Sequence, residues 1–408
     1  MLSLTPASTG LPLDHRPVIG LAIAGGGPLG AIYELGALKA LDESIDGLKM
    51  HDLDIYVGVS AGAFLAASLA NQLTATQMCR IFTSSSDAEF SFQPEVFLRP
   101  AVDEYLKRAL GLPGAVGKMI RELIRHPGHI THLESLEAFS RIIPAGIFDN
   151  HTIQVFLERV LSSPGRTNDF RQLGARLRIV AMELDSGQAV RFGEPGMDHV
   201  PISRAVQASA ALPGLYPPVE IEGRYYVDGA LRRTLHASVA LKEKADLLIG
   251  INPLVPYDSE NRRPRRKAYS SRVMSGGLPV VLSQTFRALI QSRMQVGMAK
   301  YRTEYPAAAM MLVEPNRNDE RMFFTNIFSY SSRNQLADHA YRTTRAEMLQ
   351  RAEELEKYLA PYGLKLNNEA LSSQRSLTES LAREQRFLAP VGNSLARSLD
   401  RLERLVSD

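Results

Sequence analysis

The chain has 408 residues, 45% of them hydrophobic, and 47 Lys and Arg stand against 44 Asp and Glu for a net charge of +3. That is material for one large domain with appendages, and the near-balance of charge excludes a global field for nucleic acid while leaving room for a local basic patch. Cys79 is the sole cysteine, which rules out an internal disulfide and points to a reducing compartment, the cytoplasm.

Residues 1–16 read as a flexible lead-in without the basic start and apolar centre of a signal peptide. PVIGLAIA (17–24) is a short apolar run stopped by three glycines, a buried strand. Ile32, Leu35, Leu38 and Leu41 then recur at helical spacing. DIYVGV (54–59) is a second strand and AGAFLAASLANQL (61–73) a second helix. Strand and helix alternating in this way imply an α/β fold, a mostly parallel central sheet flanked by helices. From about 74 to 170 the pattern is mainly helical, an insertion at one edge of the sheet.

RLRIVAMELDSGQAVRF (176–192) returns to strands around a turn at Asp185-Ser186-Gly187, and ISRAVQASAAL (202–212) is a helix ended by Pro213-Gly214. VEIEGRYYVDGAL (219–231) reads as a hairpin about Glu222-Gly223, HASVALKEKA (236–245) as a helix and DLLIGINP (246–253) as a buried strand. This completes a catalytic domain over 17–255. A basic linker (256–272) follows, then a part packing on that domain (273–366) with a strand at 307–315 and a long helix at about 333–360, then a polar helical tail (367–408). No run reaches the roughly 18 apolar residues of a membrane span.

Gly58-Val59-Ser60-Ala61-Gly62 has the G-x-S-x-G spacing of a nucleophile elbow. A serine at a tight strand-to-helix turn exposes its oxygen, and the positions two before and two after must lack a Cβ because the chain packs on itself there. The helix that follows favours developing negative charge at its N-terminus.

Gly25-Gly26-Gly27-Pro28-Leu29-Gly30 follows the first strand. As a dinucleotide fingerprint it would need an acidic residue at the end of the second strand, about 20 residues on, and that strand ends in Ser60 instead. Glycine amides converging on an oxyanion fit better, because Ser60 supplies a reaction that needs them. Asp228-Gly229 ends a strand with a carboxylate and, taken alone, reads as a turn.

These stretches, together with MELDSGQAVRF (182–192) and ASAALPGLYPPV (208–219), resemble the patatin-like phospholipase family, in order, over roughly residues 17–255. The resemblance implies a patatin-like sheet, Ser60 as nucleophile, Asp228 as its direct base without a histidine, and an oxyanion hole from Gly25, Gly26 and Gly27. Gly30, Gly58, Gly62 and Gly229 are the glycines of the motifs. It implies a serine acyl hydrolase that cleaves phospholipid or lysophospholipid esters through an acyl-enzyme, with neither metal nor cofactor. One position departs: where the family usually carries Arg or Lys, this chain has Leu29, which removes a positive charge beside the glycine loop and bears on phospholipase strength and head-group preference.

Other readings stand beside this one. The same dyad could serve a carboxylesterase or acyltransferase on non-lipid esters, and the long C-terminal region would also suit a weakly catalytic lipid-binding scaffold. His236 after Asp228 would give the order Ser, Asp, His of a triad, but it begins a helix. His126, His129 and His132 have metal-like spacing, broken by Pro127 and Gly128. The basic cluster Arg262, Arg263, Arg265, Arg266 and Lys267 and the amphipathic stretch 114–126 are the places for peripheral contact with an anionic membrane. Leu395, Leu399, Leu402 and Leu405 form a stripe for docking or homo-oligomer formation.

Overall fold

The computed structural model describes residues 1–83, 145–256, 277–319, 321–322 and 330–384. The histidines of 126–132, the 114–126 stretch, the basic cluster around Pro264 and the Leu395–Leu405 stripe lie outside the described residues.

Among the described residues a nine-stranded sheet forms the centre. Five neighbouring strands run parallel: β10 (Ala309–Val313), β9 (Leu247–Ile251), β2 (Ile19–Ile23), β4 (Ile55–Gly58) and β5 (Arg176–Glu183). Their residues are apolar on both faces, as strands covered on two sides must be; Leu21, Ala22, Ile23 and Ala24 are all fully buried. The antiparallel additions are β6 (Ala189–Phe192) and β8 (Arg224–Asp228) on β5, and β7 (Val219–Ile221) on β8. Glu222 and Gly223 join β7 to β8 with φ of 52° and 74°, the two positive values that a two-residue hairpin turn demands.

Residues 1–16 are not merely a lead-in. Leu2–Thr5 form β1, an antiparallel edge strand on β10 with Leu2 opposite Val313. Four residues are too few for a readable alternation, and the partner strand lies some three hundred positions away in the chain. The sheet therefore also extends past residue 255: β10, beyond the basic linker, pairs in parallel with β9.

Helices cover both faces. On one face lie α1 (Gly27–Ser44), α2 (Ala61–Ala70) and α3 (Ala75–Thr83), packed on Leu21, Ile23, Tyr56 and Ile179. Two helices, α4 (His151–Leu161) and α5 (Ile202–Ser209), extend that core. On the other face α6 (Ala237–Lys242) and α7 (Gly277–Glu304) cover Ala22, Val57, Val180 and Leu248. The alternation of Leu21 and Ile23 with Ala22 and Ala24 between two cores is the period-two geometry of a strand.

Helix α8 (Tyr330–Gln350) lies directly on α1. Gly36 makes the approach close: a Cβ there would stand 2.3 Å from the Ala337 carbonyl oxygen. One turn on, Lys39 is almost fully buried and bridges Glu43 at 2.9 Å and Glu384 at 2.8 Å, while the Tyr341 hydroxyl donates to Glu43 at 2.5 Å. Lys39, Glu43 and Glu384 thus each have a partner, the condition under which burial of a charge is tolerated. No helix among the described residues is long and apolar enough to cross a membrane.

Gly36→Leu is expected to push α8 off α1 and to lower unfolding free energy by about 1–3 kcal/mol, the cost of overpacking a dense core. Urea denaturation checks this against Gly174→Ala, whose added Cβ meets nothing within 4 Å; equal midpoints for the two variants would contradict the packing.

Candidate active site

The strand order places β2 and β4 side by side, so the loops leaving their carboxyl ends open on one edge of the sheet, where clefts form in α/β proteins. The β2 loop carries Gly25, Gly26 and Gly27 into α1. The β4 loop carries Ser60 into α2. The two are pressed together: a Cβ on Gly62 would come within 2.3 Å of the Ala24 carbonyl oxygen, one on Gly58 within 2.5 Å of the Ala63 Cα, and one on Gly25 within 3.0 Å of the Ser60 Cβ. Gly26 and Gly30 pack in the same way on Pro253, which follows β9.

Ser60 takes φ 53° and ψ −124°, a backbone region that is costly for any residue with a Cβ and is held only where its surroundings enforce it. It occupies the N-cap of α2 but makes no capping bond with its side chain. A serine at an N-cap ordinarily spends its hydroxyl there; here it is not spent on the helix, and the Asp228 carboxyl lies near enough for the hydroxyl to lower that carboxyl's proton affinity.

Asp228 ends β8, which enters the sheet antiparallel to β5 with Asp228 opposite Ala181. Gly229 permits the turn that follows, since a Cβ on it would lie 2.2 Å from the Val180 carbonyl oxygen. The carboxyl is 3% exposed. Burial pushes it up to about 6, and the Ala230 N–H, donating at 2.8 Å, and the nearby Ser60 hydroxyl offset part of that rise. His236 stands apart from the pair. Its Nε2 faces the Gly229 carbonyl at 3.2 Å, and burial together with nearby arginines pushes its ring down to about 4, so it is neutral at pH 7. The structure brings Ser60, Asp228 and the glycine loop together and leaves His236 outside the pair.

None of Gly25, Gly26 and Gly27 donates its N–H to another described residue; Gly27, with φ 60°, opens α1, where helix geometry leaves the first donors without intrahelical acceptors. A narrow pocket of ≈ 90 Å³ begins at Gly27 and Ser60 and runs between Ile32, Phe64, Phe82, Ile153 and Val206. Its lining is mostly apolar, with Ser60, Tyr216 and Arg333 of α8 as its polar members; Arg333 is 1% exposed and donates from Nη1 to the Phe82 carbonyl at 3.2 Å.

Two residues of this site escape a reading of the sequence. Ser209, at the end of α5, accepts from the Ser60 N–H at 2.8 Å and donates to the Val180 carbonyl at 2.6 Å, tying the elbow to β5. It sits in the ASAALPG stretch, so a signal existed without a role. Arg333 has no local signal at all. Among the described residues no group of three or more His, Cys, Asp or Glu is placed to hold a metal ion.

With the glycine loop, the elbow and the strand-end aspartate converging, the comparison with known families is decisive. The family model described as patatin-like phospholipase matches residues 21–241, more than half of the chain.

The chain belongs to the patatin-like phospholipase family.

Its members are lipid acyl hydrolases, and the matched residues, from β2 into α6, take in the glycine loop, Ser60, Ser209 and Asp228. Solved structures to which the chain is similar include VipD from Legionella pneumophila, at 15% identity over 88% of this chain and 82% of that one, TM-score 0.34. Another is the ExoU–SpcU heterodimer of the Pseudomonas aeruginosa type III secretion system, at 14% over 88% and 66%, TM-score 0.28. A third is human GIVD cytosolic phospholipase A2 in complex with methyl gamma-linolenyl fluorophosphonate, at 13% over 86% and 62%, TM-score 0.32. Leu29 of this chain is partly buried against the core, and Arg333 on α8 is the cationic side chain in the pocket lining.

The raised Asp228 carboxyl has a consequence for stability. An aspartate ordinarily titrates near 3.8 and this one at about 6, so between those values the folded state holds a proton that the unfolded chain has lost. The contribution is full below about pH 4 and is lost as pH rises through about 6. Asp228→Asn keeps an acceptor for Ala230 and never ionises. It is expected to be more stable than wild type at pH 8, by on the order of 2–3 kcal/mol, and equal to it at pH 4, as read by thermal melts across that range.

Proposed function

We propose that the chain hydrolyses carboxyl esters of phospholipids or lysophospholipids through an acyl-enzyme. Ser60 is the nucleophile, Asp228 the base, and the N–H groups of Gly25, Gly26 and Gly27 receive the oxyanion. The observation that carries this reading is the Ser60 hydroxyl, unspent on capping, close to a buried carboxyl and lining a largely apolar pocket.

Asp228 takes the hydroxyl proton as the Ser60 oxygen attacks the ester carbonyl. The negative charge gathers on the former carbonyl oxygen, against the glycine amides and the N-terminus of α2. Collapse of this intermediate expels the alcohol or lysolipid, which takes the proton from Asp228, and leaves the acyl group on Ser60. Water then attacks with Asp228 again as base, and the fatty acid departs. A carboxylate is a weak base toward a hydroxyl, and burial strengthens it by raising its proton affinity. The apolar lining suits an acyl chain better than a polar ester, and Arg333 gives the pocket a cation for a phosphodiester.

Ser60→Ala is expected to abolish release of fatty acid from phosphatidylcholine vesicles, and a fluorophosphonate probe to label wild type at Ser60 and not the variant. Unchanged hydrolysis by Ser60→Ala refutes the assignment; hydrolysis of short soluble esters without activity on vesicles favours the carboxylesterase reading instead.

Since Asp228 must be ionised to accept the proton, kcat/KM should rise with pH through about 6 and then level off. His236→Asn, which suits the left-handed φ of 47° at that position, should keep that limb in place. Its disappearance in the variant would transfer the base to histidine.

A further inference from the structure

A second cleft lies away from Ser60. It lies on the opposite face of the sheet, between α7 and the segment from Arg232 into α6, and has a volume of ≈ 560 Å³. Cations line both of its walls. Arg232, Arg233 and Lys242 come from the α6 side, Arg293 and Lys300 from α7, and all five are exposed. Against them stands a single lining carboxylate, Glu304, already paired with Lys300 at 3.1 Å. In the cleft that continues alongside, Glu194 is held by Arg191 at 2.5 Å and Glu243 by Arg178 at 2.6 Å. Among the described residues, then, Arg232, Arg233, Arg293 and Lys242 pair with no carboxylate.

Two of these guanidinium groups are oriented by the fold. Arg293 donates from Nη1 to the Leu231 carbonyl at 3.0 Å, and Arg233 from Nη1 lies 3.4 Å from both the Tyr301 and Ser238 hydroxyls. Like charges gathered around a concavity repel one another and raise the local potential for an anion. A solvated basic surface would spread its charges over a convex face. Here four uncompensated cations converge from two walls on one space, and three of them are planar forks that match phosphate oxygens two at a time. A phosphomonoester carries close to two negative charges at neutral pH, so the cleft can neutralise more than one such group.

We propose that this cleft binds a multiply charged phosphate anion. The site is independent of the Ser60–Asp228 chemistry, although one wall reaches it: His236 lines the cleft and meets the carbonyl of Gly229, the residue after Asp228. The anion can be a soluble polyphosphate or a lipid phosphomonoester head group, and two probes separate these sources.

Titration calorimetry of the full chain with inorganic triphosphate tests the first, and co-sedimentation with phosphatidylcholine vesicles, with and without phosphatidic acid, tests the second. The test variant is Arg232→Ala with Arg293→Ala. The control is Arg302→Ala, exposed on the same helix but outside the cleft. Saturable binding of one or both probes is expected, weakened about tenfold or more in the double variant, as loss of charge-assisted hydrogen bonds requires, and unchanged in the control. Triphosphate alone identifies a soluble ligand; dependence on phosphatidic acid alone identifies a head group. Failure of wild type to bind either probe overturns the proposal, and so does equal weakening by Arg302→Ala, which would mean general attraction to a basic surface. Neither readout involves turnover, so their failure leaves the assignment of Ser60 and Asp228 standing.

Discussion

The contact between the β2 loop and the first turn of α2 is the constraint on which the site depends. Backbone meets backbone there: a Cβ at Gly62 would stand 2.3 Å from the Ala24 carbonyl oxygen, and one at Gly58 2.5 Å from the Ala63 Cα. With no side chains in the gap, α2 can begin immediately after β4, and Ser60 is left at φ 53° with a hydroxyl that makes no capping bond to the helix. The strain at this one residue is maintained by the packing of its neighbours and by the Ser209 hydroxyl, which accepts its N–H.

That geometry matters chemically because of the group it meets. Asp228 reaches Ser60 from an antiparallel strand at the end of a parallel run, where the sheet is already covered. Burial without a cation partner raises its carboxyl, whereas an ion pair would have lowered it. Burial acts in the opposite sense on His236, keeping the ring neutral and leaving it a hydrogen bond to Gly229. One physical effect thus raises the proton affinity of the carboxylate and lowers that of the imidazole a short distance away.

The C-terminal part shapes both cavities. By lying on α1 through Gly36 and the Tyr341–Glu43 hydrogen bond, α8 brings Arg333 into the pocket at Ser60. Helix α7 supplies the second wall of the rear cleft and adds Arg293 and Lys300 to it. The sheet itself runs on into β10 and β1, so the domain matched to the family is one portion of a larger continuous core.

Much of this was written locally in the chain. The run of PVIGLAIA into three glycines, the Gly58–Gly62 elbow and the Glu222-Gly223 turn each depend on neighbours a few residues away, and such features show in composition and spacing. Read in order, they marked the parallel sheet, the serine, the aspartate and the family. The tertiary structure decided what rests on distant partners. Leu2–Thr5 becomes a strand only because Val313 lies opposite it, Ser209 acquires a role only beside the Ser60 amide, and the proton affinity of Asp228 follows from the atoms that exclude water from it. Nothing in the local sequence sets Arg333 or the cations that line the rear cleft apart from other surface residues. Proximity and burial give them their meaning, and these arise from chain packing across separations that no local pattern encodes.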